Sequence, residues 1–159
     1  ATPASNYTTW ATASTNIQLA VDAAVAGDTV LVSNGVYNTG GQTYDTNTVT
    51  NRVVISKAIL LAAVSTNPAD TVIEGAADPL TTNGPAAVRC VFIVGAGTTV
   101  SGFTLRFGHT QTNGATDYNQ SGGAIFGWWG IPTNWLIVSN AANYDGGGAQ
   151  ARTALFDHR

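Results

Sequence analysis

Between residues 15 and 26 the apolar positions Ile17, Ala20, Val21, Ala24 and Val25 recur at the three- and four-residue spacing that lines one face of an α-helix. Ser14 or Thr15 is placed to cap its start, and Gly27 to end it in a left-handed conformation. After Asp28 the pattern changes. Short apolar runs at 29–32, 52–55, 58–62, 71–74, 89–94, 100–105, 124–126, 135–138 and 154–156 predict strands, separated by turns rich in Gly, Asn, Ser and Thr. Several runs are apolar throughout. That suits strands covered on both sides, or stacked in a solenoid, better than a half-exposed hairpin. Asn34-Gly35, Asn113-Gly114 and Asp145-Gly146 lie at the ends of runs, inside longer loops, so tight two-residue hairpins are mostly missing.

The runs at 29–32, 59–62, 103–105, 136–138 and 154–156 are alike enough to stack as one sheet, which predicts about five rungs of a parallel solenoid. Uneven gaps between them require loops of different lengths to bulge from the coils. The helix at 15–26 would close the amino-terminal end, covering the first coil's apolar interior and its open strand edge. The expected organisation is an extension over 1–14 and a single domain over 15–159.

Composition narrows the function classes. Only 9% of the 159 residues are charged, against about 25% in an ordinary globular protein. Neutral polar side chains must therefore carry solubility. The formal net charge is −3 and Lys57 is the single lysine, so the clustered cations that bind nucleic acid are missing. No stretch reaches the roughly 18 apolar residues of a membrane-spanning helix. One cysteine, Cys90, allows no internal disulfide and reads as a buried small hydrophobe. The small polar start, Ala1 to Ser5, fits a mature chain after leader removal, and with the low charge it suggests a secreted or cell-surface protein.

The stretch from Ile17 to Tyr37, with its helix, its Gly27-Asp28-Thr29-Val30 strand entry and its Gly35-Val36-Tyr37 turn, resembles the amino-terminal cap of the pectate-lyase-like right-handed parallel β-helix superfamily. Val88-Arg89-Cys90-Val91-Phe92 and Val100-Ser101-Gly102-Phe103-Thr104-Leu105 extend the likeness. Ser121-Gly122-Gly123-Ala124 and Asp145-Gly146-Gly147-Gly148-Ala149 look like the glycine-rich turns of bacterial surface β-helix proteins. The resemblance implies an all-β, right-handed parallel β-helix with a capping helix. It also implies a role on polysaccharides, because the superfamily includes lyases, hydrolases and esterases alongside adhesins. Fold alone does not choose among them. The chain has fewer coils than most members, and its last residues offer no evident cap, so it reads as a fragment or as a solenoid whose last coil is covered by another copy, end to end.

Superfamily lyases use calcium held by Asp and Glu, with an Arg or Lys as base; here no calcium loop is visible in sequence, and the cofactor expectation is none or Ca²⁺. Arg106 and His109, with Asp117 in the loop that follows, offer a base, a charge stabiliser and an orienting group. Asp117 and Asp145 are the carboxylate pair to test for an inverting hydrolase. All four also read plainly as turn and surface residues. Trp128 and Trp129, in a Gly-Trp-Trp-Gly turn, and Tyr118 are the candidate sugar-binding aromatics, because flat rings stack on the apolar faces of sugars. In an extended segment, one of the adjacent tryptophans points inward and the other outward. Trp135, inside an apolar run, reads as core. Two functions follow: a carbohydrate-active protein that binds or cleaves a polysaccharide, or a non-catalytic structural or adhesive module.

Overall fold

The computed structural model describes residues 7–114, 116–129 and 131–151; the expected strand at 154–156 lies outside them. Helix α1 spans Ile17–Ala23, shorter than the apolar stripe suggested. Asn16, rather than Ser14 or Thr15, caps it by accepting from the Gln18 N–H at 2.9 Å. Gly27 has a φ of +94° as expected, but Val25 faces solvent because the helix has already ended at the extended residue Ala24.

Twelve strands follow: β1 (Thr29–Val32), β2 (Gly35–Tyr37), β3 (Thr50–Ile55), β4 (Leu60–Ala63), β5 (Thr71–Glu74), β6 (Val88–Ile93), β7 (Thr99–Ser101), β8 (Thr104–Arg106), β9 (Ile125–Gly127), β10 (Ile131–Thr133), β11 (Leu136–Val138) and β12 (Ala149–Ala151). They form three four-stranded parallel sheets, ordered β1-β4-β7-β10, β2-β5-β8-β11 and β3-β6-β9-β12. Every third strand along the chain thus lies on the same wall, which defines a parallel β-solenoid with a helix at its amino end. It winds through about three turns from the first rung to the last, fewer than the five rungs expected.

The register explains the apolar runs. Val53, Val91 and Ile125 stack in one interior column; Val30, Leu61 and Val100 stack in a second; Ile73 and Leu105 in a third. All are buried, and each fully buried side chain of this size contributes about 1.5–3 kcal/mol. The expected single strand at 100–105 is in fact β7 and β8, because Gly102 turns the corner at φ +86°. The runs thought to share one sheet therefore divide: 29–32 lies in the first sheet with β4, while β8 and β11 belong to the second.

α1 closes the first coil in two ways. Ile17, Val21 and Ala24 join the core beside Val30, Val53 and Ile55. The side-chain amide of Gln18 then pairs with the main chain of Val54, accepting from its N–H at 2.6 Å and donating to its carbonyl at 3.1 Å. This side chain stands in for the missing strand beside β3. Lys57 in turn caps the helix's end, donating to the carbonyls of Asp22 and Ala24. At the other end no helix among the described residues covers the last described rung, and Leu136, Ile137 and Val138 are each about two-fifths or more exposed. No helix among the described residues is long and apolar enough to cross a membrane.

Gln18→Ala removes both bonds to Val54 and leaves two buried main-chain groups unmatched. We expect a loss of about 1–3 kcal/mol in urea unfolding, with an unchanged far-ultraviolet spectrum at low denaturant. A loss below 0.5 kcal/mol, a value well under the usual cost of orphaned buried groups, would show that water replaces the amide.

Candidate functional site

The long connections all leave one corner of the solenoid. Residues 38–49, 75–87, 107–124 and 139–148 each link a strand of the second sheet to one of the third. The corner between the first and second sheets is turned by the two-residue links 33–34, 102–103 and 134–135 and by the seven residues 64–70. Stacking of coils therefore stacks the long loops, and they fold over the outer face of the third sheet. Short helix α2 (Thr116–Asn119) lies in the longest of them.

Neutral side chains hold these loops together. Thr48 donates to Gln111 Oε1 at 2.5 Å, Gln111 donates back to the Thr48 carbonyl, and Asn119 Oδ1 accepts from the Thr48 N–H. Asn140 accepts from the Gly108 N–H at 2.7 Å and donates to the Leu105 carbonyl. Asn143 donates to Gln120 Oε1 at 2.6 Å. Gly108 is required here: a Cβ at this position would collide with the Gly123 carbonyl and press on Cys90 Sγ. Cys90 is buried, and burial pushes its thiol up to about 12, so it is protonated and inert at neutral pH.

Beneath the loops lies Arg89, with no exposed surface. Its guanidinium donates to the carbonyls of Gly122, Tyr118 and Ser121 and to Asn51 Oδ1, at 2.6–2.9 Å. Burial lowers its pKa to about 9, which still leaves it charged at neutral pH. It lies 5.5 and 5.4 Å from the ring centres of Phe92 and Phe126. These two rings stack at 5.6 Å on the outer face of the third sheet, above Val54. Tyr44 packs on Phe92 at 5.6 Å, Tyr118 on Phe126 at 5.8 Å, and Trp128 stacks on Tyr118 at 5.5 Å. The result is an aromatic ladder across the loop-bearing wall, clamped by a buried cation. The sequence offers one signal for it, an arginine inside the apolar run 88–93. Its partners lie about thirty residues away and are not legible locally.

The residues singled out from sequence fall as follows. Tyr118 and Trp128 are half-buried members of the ladder, whereas Trp129 is 47% exposed, so one tryptophan does point inward and its neighbour outward. Trp128 stacks on Tyr118 with ring planes 28° apart. Trp135 packs on the core and donates to the Val100 carbonyl at 2.9 Å. Arg106 is engaged by Glu74, with Nε and a terminal nitrogen 2.6 and 2.5 Å from one carboxylate oxygen, and its guanidinium lies over the Phe107 ring. His109 Nδ1 lies 3.3 Å from Asn83 Oδ1, and burial lowers its pKa. Asp145 is exposed; its carbonyl accepts from Gly122 and its N–H donates to Ser121 Oγ. Among the described residues no hydrogen bond or ion pair joins Asp145 to Arg106 or His109. Asp117 lies in α2, but its side chain is outside the described residues, so the expected pairing with Asp145 is not on view.

A separate cleft of about 470 Å³ lies at the amino-terminal end, between α1, the free edge of β1 and residues 7–14, with Trp10 and Tyr37 among its walls. Among the described residues no group of three or more His, Cys, Asp or Glu side chains is arranged to hold a metal ion. No family model, no curated protein and no solved structure matches the chain.

Two outcomes follow from the buried groups. Arg89→Lys keeps the charge but supplies one point donor where a planar fork is needed, so we expect a loss of about 3–5 kcal/mol in chemical denaturation. His109 is held below its ordinary pKa of 6.5, so on acidification the unfolded chain takes up this proton first. The stabilisation is complete above pH 6.5 and is lost as pH falls through the folded-state value. Urea midpoints measured down this range should drop less for His109→Asn than for the wild type; parallel curves would remove His109 from the account.

Proposed function

We propose that this protein is a secreted or cell-surface polysaccharide-binding β-solenoid, related to the pectate-lyase-like superfamily. Its contact edge runs along the aromatic ladder to Trp128 and Trp129. The observation that carries the reading is a tryptophan 47% exposed, Trp129, directly beside Trp128, which stacks on Tyr118 in the ladder. A half-exposed indole offers an apolar face, and sugars present apolar faces to such rings while their hydroxyls meet polar groups at the rim. Such groups are abundant here, because the loops are built from Asn, Gln and Thr. Polysaccharide cleavage on the same wall would fall to Asp117 and Asp145 with Arg106 and His109, and it requires Arg106 to leave its Glu74 partner.

A second reading is a structural or adhesive module. It is favoured by the last rung, where Leu136, Ile137 and Val138 face solvent above Leu105 and invite end-to-end association with a further copy. Light scattering over a concentration series decides this: a monomer at every concentration rules out self-association.

For the binding reading, Trp129→Ala should weaken retention in polysaccharide affinity gels by about tenfold, the order expected for losing one stacked ring, while the thermal midpoint stays unchanged. Equal retention of variant and wild type removes Trp129. New reducing ends that vanish in Asp117→Asn and Asp145→Asn would add catalysis to binding.

A further inference from the structure

We infer that the polysaccharide recognised by this wall is uncharged, rather than a polyuronate or a sulfated chain. The inference rests on the polysaccharide-binding reading and deepens it. Its ground is the fate of every described cation. Arg89 is fully buried and saturated by three carbonyls and Asn51. Arg52 is buried and donates to the carbonyls of Glu74 and Gly40. Lys57 is spent on the end of α1. Arg106, the most exposed of the arginines described, is bound to Glu74, which also accepts from Asn38. The two other arginines, Arg152 and Arg159, lie outside the described residues.

The carboxylates are disposed differently. Asp45, next to the ladder residue Tyr44, is exposed, and so is Asp145 on the last long loop. Among the described residues, the side chains that remain to meet a ligand on this wall are therefore neutral polar groups, aromatic rings and negative charges. Among the described residues a polyanion would find no unengaged guanidinium or ammonium to replace its lost hydration, and it would meet like charge at Asp45 and Asp145. A neutral chain loses nothing by that arrangement. Its hydroxyls match exposed loop side chains such as Thr43, Thr46, Thr112 and Asn113, and its ring faces match Trp129. Among the described residues, pairing of a polyuronate with a cation would have to break the bonds that already engage Arg52, Lys57, Arg89 and Arg106.

The test uses the full chain in isothermal titration and affinity gels. Its ligands are soluble neutral polymers (β-glucan, xylan and mannan) and anionic ones (polygalacturonate and alginate), at low and high salt, with and without calcium. We expect binding to at least one neutral polymer, with an affinity that changes less than about twofold with salt, because no ion pair is involved. Anionic polymers should bind at least about tenfold more weakly at low salt, and the gap should narrow as salt screens the repulsion. Asp45→Asn should raise affinity for the anionic polymers a few-fold and leave neutral binding unchanged. Anionic binding equal to or tighter than neutral binding, weakened by salt or dependent on calcium, overturns the inference while leaving polysaccharide binding in place. Retention on no polymer overturns both.

Discussion

Each strand of this solenoid takes its main-chain partners from the coils before and after it, and the fold is arranged around that requirement. Interior strands meet it automatically, because β4 lies between β1 and β7, and β6 between β3 and β9. The first rung cannot. Its solution at β3 is a helix that supplies one glutamine amide in the geometry of a strand and packs Ile17 and Val21 over the open core. The last described rung has no such cover, and its apolar residues stand exposed above a filled column. The two ends are thus physically different surfaces, and only the amino-terminal one is closed by this chain's own described residues.

The low charge follows from how the loops are held. A wall of stacked loops has many main-chain groups and little regular structure to satisfy them. In this protein Asn, Gln and Thr side chains do so, as in the Thr48–Gln111 and Asn140–Gly108 contacts. Two of the described cations, Arg52 and Arg89, are drawn inward for the same purpose. Arg89 serves three loop carbonyls and Asn51 Oδ1 at once, one acceptor more than a lysine ammonium has protons. What maintains the loops therefore also sets the electrostatics of the surface they present.

That link constrains the chemistry of the candidate site. Arg106 and His109 stand close in sequence, at the root of the longest loop, but the fold gives each a partner from another coil: Glu74 for the arginine and Asn83 for the histidine. The aromatic residues show the opposite outcome. Phe92, Phe126, Tyr118, Tyr44 and Trp128 are scattered over more than eighty positions, and stacking gathers them into one ladder that ends beside an exposed indole. Chemistry that looked available in the sequence is partly used by the structure, while a surface that looked incidental is assembled by it.

The sequence by itself determined the capping helix, the solenoid class and several strands, β1 and β5 to the residue, because these depend on local periodicity and on runs apolar enough to be buried on both sides. It also determined the shortage of charge and the split roles of Trp128 and Trp129. Other features were decided only in three dimensions. Gly35–Tyr37, Ile131–Thr133 and Ala149–Ala151 are too short to announce themselves, and become strands because a neighbouring coil offers hydrogen bonds. The break at Gly102, the burial of Arg89 and the capture of Arg106 by Glu74 likewise depend on partners one coil away. In a solenoid the decisive neighbour of a residue lies about thirty positions along the chain, at a distance set by loop lengths that no local pattern encodes.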